Sequence, residues 1–146
     1  LNYALYDFEG RLLNDQGGIN LEINSPVLRN NALSGIGTVE NPEIRIQQEQ
    51  DNWYIIAESA SITADREQVT LIGEVNLQRQ NPVTGRQLEI ETRDVLLNVT
   101  PRTAHTDSAV RIRQHGDRLD AVGMNLDMIA NSFELLNDVQ AHYELP

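Results

Sequence analysis

The sequence of 146 residues has no cysteine, which excludes disulfides and thiolate metal sites. Basic residues are few. Eleven stand against twenty-two acidic ones, and the net charge of −11 excludes a nucleic-acid binder, which needs basic surface to replace condensed counterions. A cationic helix lying on a membrane surface is excluded on the same ground. No apolar run reaches the roughly eighteen residues of a spanning helix, and no secretory apolar segment is present. Aromatics are scarce, with one Trp, two Phe and four Tyr, too few for the exposed platforms of a sugar-binding β domain. The chain starts at Leu1 rather than methionine, so a targeting or anchoring segment is expected to precede it.

What is present is period-two alternation, run after run. The runs cover residues 3–9, 19–24, 42–48, 52–59, 69–79, 87–92, 95–100, 109–114, 118–128 and 132–145. Turn chemistry separates them, as at Glu9-Gly10, Asp15-Gln16-Gly17-Gly18, the 80–85 segment and His115-Gly116-Asp117. Residues 126–139 keep some helical spacing, but Phe133, Leu135, Val139, Ala141 and Tyr143 share one strand phase and no cap flanks them. No linker, low-complexity tract or charge block divides the chain. The expectation is a single all-β domain over residues 1–146.

An internal repeat sharpens this. Setting Ala57, Thr92 and Ala121 level brings Ala60, Val95 and Met124 together, then Ile62, Leu97 and Leu126. Val75, Val110 and Val139 fall level too, each 18 residues on (75 − 57, 110 − 92, 139 − 121). A two-stranded unit cannot bury an apolar face alone, so stacked hairpins must share one interior. Small residues recur on the inward phase: Ala57, Gly73, Thr92, Ala104, Ser108, Ala121 and Gly123. A tightly filled sandwich uses small residues opposite large ones; a cleft for an apolar ligand uses them for width. Both readings stay open at this level. "VTLIGEVNL" (69–77) poses the question most directly, because Gly73 interrupts an otherwise apolar face.

Catalytic readings find no support. His105, His115 and His142 are scattered without metal-ligand spacing. His105 and Asp107 share a strand face and read as a surface hydrogen bond, with no nucleophile motif nearby. Asp65, Glu67, Asp117, Arg118 and Asp120 read as solvated turn and strand charge. No cofactor is expected.

The ordered set "YDFEG", "NSPVL", "WYIIAESASI", "LIGEVNLQR", "LEIETRDVLLNVTP", "HTDSAVRI", "AVGMNLDM" and "LLNDVQAHYEL" resembles the periplasmic domain of the LptC family of lipopolysaccharide-transport proteins, within the OstA-like group. The resemblance runs nearly the whole length. It implies a folded-over antiparallel β-jelly roll with an apolar groove, a single N-terminal membrane helix outside this sequence, and a periplasmic position at the inner membrane of a Gram-negative bacterium. It implies a bridge that takes lipopolysaccharide from an inner-membrane ABC transporter at the N-terminal edge and hands it to a soluble LptA-like protein at the C-terminal edge. The alternative is a scaffold that joins partners by strand-edge pairing without touching lipid. Groove candidates by phase and repeat position are Ile55, Ala57, Val69, Leu71, Gly73, Val75, Leu77, Ile90, Val110, Ile112, Ala121, Gly123, Met124, Leu126 and Leu135, with Val139 and Tyr143 also on the inward phase. Edge candidates are Tyr3, Leu5 and Phe8 at one end and Val139, Ala141 and Tyr143 at the other. The same edges allow a second copy of the chain to pair. An acidic carrier and an anionic lipid are compatible if contact runs through the acyl chains.

Overall fold

The computed structural model describes residues 2–13, 19–49 and 51–143. Among these, ten strands form one antiparallel sheet. They are β1 (Tyr3–Leu13), β2 (Ile19–Asn30), β3 (Gly37–Glu40), β4 (Glu43–Gln47) and β5 (Asn52–Ile62). They continue with β6 (Gln68–Gln80), β7 (Gln87–Asn98), β8 (Thr103–Gln114), β9 (Asp117–Asp127) and β10 (Ser132–His142). Neighbours in sequence are neighbours in the sheet, with β3 and β4 together filling one place between β2 and β5. The reading of 132–142 as strand holds: β10 pairs with β9 from Ser132↔Asp127 to His142↔Arg118.

Turn sequence explains why consecutive strands reverse so tightly. Asn31 and Asn81 each turn a side-chain oxygen onto two following amides, Leu33 and Ser34 in one case, Val83 and Thr84 in the other. Each turn ends on a glycine in the left-handed region, Gly35 or Gly85, whose N–H donates to the Asn carbonyl at 2.7 and 2.9 Å. Asp127 repeats the device with the amides of Ile129 and Ala130.

The sheet is creased along a line that crosses the long strands and passes between β3 and β4. Pairing slips between Ala57 and Ser59, Leu71 and Glu74, Glu91 and Leu96, Thr106 and Ala109, and Asn137 and Gln140. On the other side of the sheet, β2 changes partner from β4 to β3 across Ser25-Pro26. Positive φ marks the same line at Asp7, Asn41, Gly73, Asp94, Gly123 and Asp138. Such bulges bend the strand and free ladder groups, which need other partners. Side chains supply them. Asp94 Oδ1 accepts from Gly73 N–H at 2.9 Å, and Glu58 Oε2 from Glu74 N–H at 2.8 Å. Ser25, Thr92 and Thr106 donate their hydroxyls to the carbonyls of Glu40, Ala109 and Arg93. These three are buried polar residues, each with its backbone acceptor on the crease.

The crease divides the strands into two layers that enclose a single apolar cluster. Ile55, Leu77, Ile90 and Ile112 come from one layer; Leu71, Val95, Leu97 and Leu126 come from the other. Repeat positions Ala57, Val75, Thr92, Val110 and Ala121 form a row beside the crease, with Ala57 opposite Val75, Val75 opposite Thr92, and Val110 opposite Ala121. Short side chains fit there because the layers converge. The crease also corrects the expected boundaries. The runs 87–92 and 95–100 belong largely to one strand, β7, interrupted by the Asp94 bulge. Residues 25–30, 37–40 and 103–108, which lie outside the alternating runs, are strand as well.

Candidate functional site

The groove residues chosen by phase converge on the interior. Ile55, Val69, Leu71, Leu77, Ile90 and Met124 are fully covered, and Val75, Val110, Ile112, Ala121 and Leu126 nearly so. Ala57 and Leu135 are partly buried and pack against the same cluster. Gly73 and Gly123 are buried but sit on the crease at φ +82° and +84°. Their physical role is conformational. A Cβ on Gly73 would collide with the Glu58 carboxylate, and one on Gly123 would press Leu136 at 3.0 Å.

Two inward assignments are corrected. Val139 and Tyr143 are exposed, 52% and 70%. The register breaks between Asn137 and Gln140 around Asp138, φ 51°, which leaves Val139 without a partner on β9, and every residue of β10 from Asn137 onward is exposed. Trp53, Leu88, Leu97, Ile44 and Ile46 also line the interior and were not among the candidates. Trp53 shares the Ile55 phase, and "EIRI" alternates plainly, so both were available to the same reasoning.

Both ends of the sheet are open. At one end β1 presents Tyr3 and Leu5, 49% and 44% exposed, while Phe8 is half-buried against the core. At the other end β10 presents Val139, Ala141 and Tyr143.

The outer surface is net acidic, and several of its few arginines are engaged in local ion pairs. A trough of about 770 Å³ crosses β5 to β9 on the crease and carries Glu58, Glu74, Glu91, Arg93, Arg111 and Asp120. Arg93 lies 3.8 Å from Glu74, Arg111 3.0 Å from Asp120, and Arg113 reaches Glu91 at 2.6 Å. Asp120 also faces Arg118 and His142, and its carboxyl is held below the usual range, first by the Arg111 hydrogen bond. His105 has acceptors at both ring nitrogens: Asn125 Oδ1 at 2.6 Å from Nδ1 and Asp107 Oδ1 at 2.9 Å from Nε2. Two acceptors favour the doubly protonated ring, and its pKa is raised above 6.5, chiefly by Asn125. The associated stabilisation is therefore present below the unfolded value and is lost as pH rises through the folded one. In a proton NMR titration, Asn125→Ala is expected to bring the His105 midpoint back toward 6.5; an unmoved midpoint would contradict the assignment.

Among the described residues no three His, Asp or Glu side chains are arranged to hold a metal ion. No helix among them is long and apolar enough to cross a membrane. What the arrangement offers is a packed apolar cluster between two layers and two unpaired strand edges.

No curated protein matches this chain by sequence. The crystal structure of LptH, the LptA-homologous periplasmic component of the lipopolysaccharide transport device of Pseudomonas aeruginosa, superimposes with a TM-score of 0.68. That match covers 86% of this chain and 95% of the other at 8% identity, so it is evidence of shared fold. Residues 1–144 match the lipopolysaccharide-assembly, LptC-related family, and the chain therefore belongs to that family as a periplasmic component of the lipopolysaccharide-transport bridge.

Proposed function

We propose that this domain carries lipopolysaccharide by its acyl chains, held between the two layers at Ile55, Leu71, Leu77, Ile90, Val110, Ile112, Met124 and Leu126. In this reading the protein is a bitopic inner-membrane component of a Gram-negative cell. It receives the lipid from the inner-membrane ABC transporter at the β1 edge and passes it to a soluble LptA-like protein at the β10 edge. The observation that carries the reading is one apolar cluster enclosed by a creased sheet whose two ends are unpaired. No bond-making is required. Each methylene removed from water contributes about 0.8 kcal/mol, so an acyl chain displaced from a membrane finds an equivalent environment here. Because Leu71 and Leu77 are fully covered, the lipid takes its place by parting the layers.

That full coverage also favours a second reading, a scaffold that joins partners by edge pairing and never opens. Photo-crosslinking separates the two. A photoreactive residue at Leu71 is expected to form a lipopolysaccharide adduct, and one at exposed Glu74 is not. A folded protein with no adduct at either position would leave the scaffold.

Handover by the β10 edge has its own test. Val139 falls in the register break, where no β9 partner faces it, so proline there spares the ladder. Val139→Pro is expected to leave the melting temperature nearly unchanged and to weaken binding of the soluble bridge protein at least ten-fold. Unchanged binding, measured by calorimetry, would remove β10 from the interface.

A further inference from the structure

Opposite the crease, the rims of the two layers are fastened to each other in one region. Gln48, in the loop between β4 and β5, donates from Nε2 to the Met128 carbonyl at 2.8 Å and accepts at Oε1 from Arg102 Nη1 at 3.0 Å. Three residues on, Asp51 Oδ2 accepts from Asn131 Nδ2 at 2.5 Å. Each half of this contact is tied within its own rim, Gln48 N–H to the Asp51 carbonyl and Met128 N–H to the Arg102 carbonyl, both at 3.0 Å. Other rim contacts among the described residues stay on one side, as with Arg66 to Gly35 and Thr100 to Glu67.

The fastening is incompletely satisfied. Asp51 is a carboxylate only 7% exposed, met by a neutral amide rather than a cation. Asn131 Oδ1 and Trp53 Nε1 are buried with no hydrogen-bond partner, two of the three such side-chain atoms among the described residues. Orphaned groups of this kind penalise the closed state, and opening to water relieves them. Directly behind lie Trp53 and Met128, both in the apolar cluster. The contact therefore holds shut, with polar bonds that water can replace, the side of the fold nearest the interior.

We propose that Gln48, Asp51, Arg102 and Asn131 form a releasable clasp, and that the gap it closes is the portal through which an acyl chain reaches the interior. This rests on the reading that acyl chains lodge there.

The chain has no cysteine, so Asp51→Cys with Asn131→Cys places the only two thiols across the gap. Joined by a short thiol-specific linker, this variant is expected to lose at least ten-fold in lipopolysaccharide adduct yield at a Leu71 photocrosslinker; unlinked, with the Asp51–Asn131 bond removed, it labels at least as fast as the parent. A linked Glu67→Cys, Thr100→Cys pair, within one rim, keeps the parental yield. Gln48→Ala, which removes both of that residue's side-chain bonds and needs no linker, is expected to raise the initial labelling rate several-fold. Parental labelling in the clasp-linked form, or an unchanged rate in Gln48→Ala, overturns the portal while leaving lipid binding intact. An adduct absent from the parent chain as well overturns both.

Discussion

Replacing Trp53 with alanine is expected to lower the unfolding free energy by about 3–5 kcal/mol, the range for truncating a buried large aromatic. Trp53 is only 1% exposed and is the largest of the fully buried side chains. It lies on β5, whose neighbours β4 and β6 supply Ile46 and Arg79 opposite it. Domains of this size are stable by only about 5–15 kcal/mol, so this one change removes a large share. Trp53→Phe separates volume from polarity. The indole N–H is buried without an acceptor, and removing it relieves a desolvation cost of about 1–3 kcal/mol that offsets part of the lost packing. The phenylalanine variant keeps most of the ring packing and is therefore expected to lose well under half of what the alanine variant loses. Urea unfolding followed by circular dichroism reads both; equal losses in the two variants would contradict this account of the site.

Gly73→Ala is expected to cost about 2–4 kcal/mol, although it adds only one carbon, combining left-handed strain with overpacking. The residue sits at φ +82°, where a Cβ adds strain, and that Cβ would overlap the Glu58 carboxylate, with Cδ at 2.6 Å. Moving the Glu58 carboxylate aside gives up its Oε2 bond to the Glu74 N–H at 2.8 Å. Gly85→Ala is the matched control. Its φ is +73° but nothing lies within 4 Å, so it bears the strain alone, about 1 kcal/mol. Measured against Glu58→Ala alone, the Gly73→Ala, Glu58→Ala double variant should lose only about as much as Gly85→Ala does, because the steric part is gone. Additive losses in the double variant would mean that the crease does not depend on this contact.

These two residues mark the limits of what the sequence conveys. Period-two alternation and the 18-residue spacing locate the row Ala57, Val75, Thr92, Val110 and Ala121, because that spacing is a hairpin's distance to its cross-strand neighbour. The crease was harder to read. A bulge changes strand phase without changing composition. Thus Asp94 looked like a break between two strands, Gly73 looked like room on an apolar face, and Val139 inherited the wrong side. The segments 25–30 and 103–108 hide their strand character behind Pro26 and the hydroxyls of Thr103, Thr106 and Ser108. One of those, Thr106, faces inward only because Arg93 offers it a carbonyl at 2.7 Å. The rim contact was invisible for another reason. Gln48, Asp51 and Asn131 are ordinary loop residues, and their pairing across 80 positions exists only once the sheet is folded.

Acyl chains lodged between the layers would lie against the single tryptophan, which is part of the interior cluster. The measurement is Trp53 emission during titration with lipopolysaccharide whose acyl chains carry bromine, a short-range quencher, against the unbrominated lipid. Strong quenching by the brominated lipid alone, saturating with binding, is expected. Binding confirmed by co-sedimentation, with Trp53 emission the same for both lipids, would place the acyl chains elsewhere and contradict carriage between the layers.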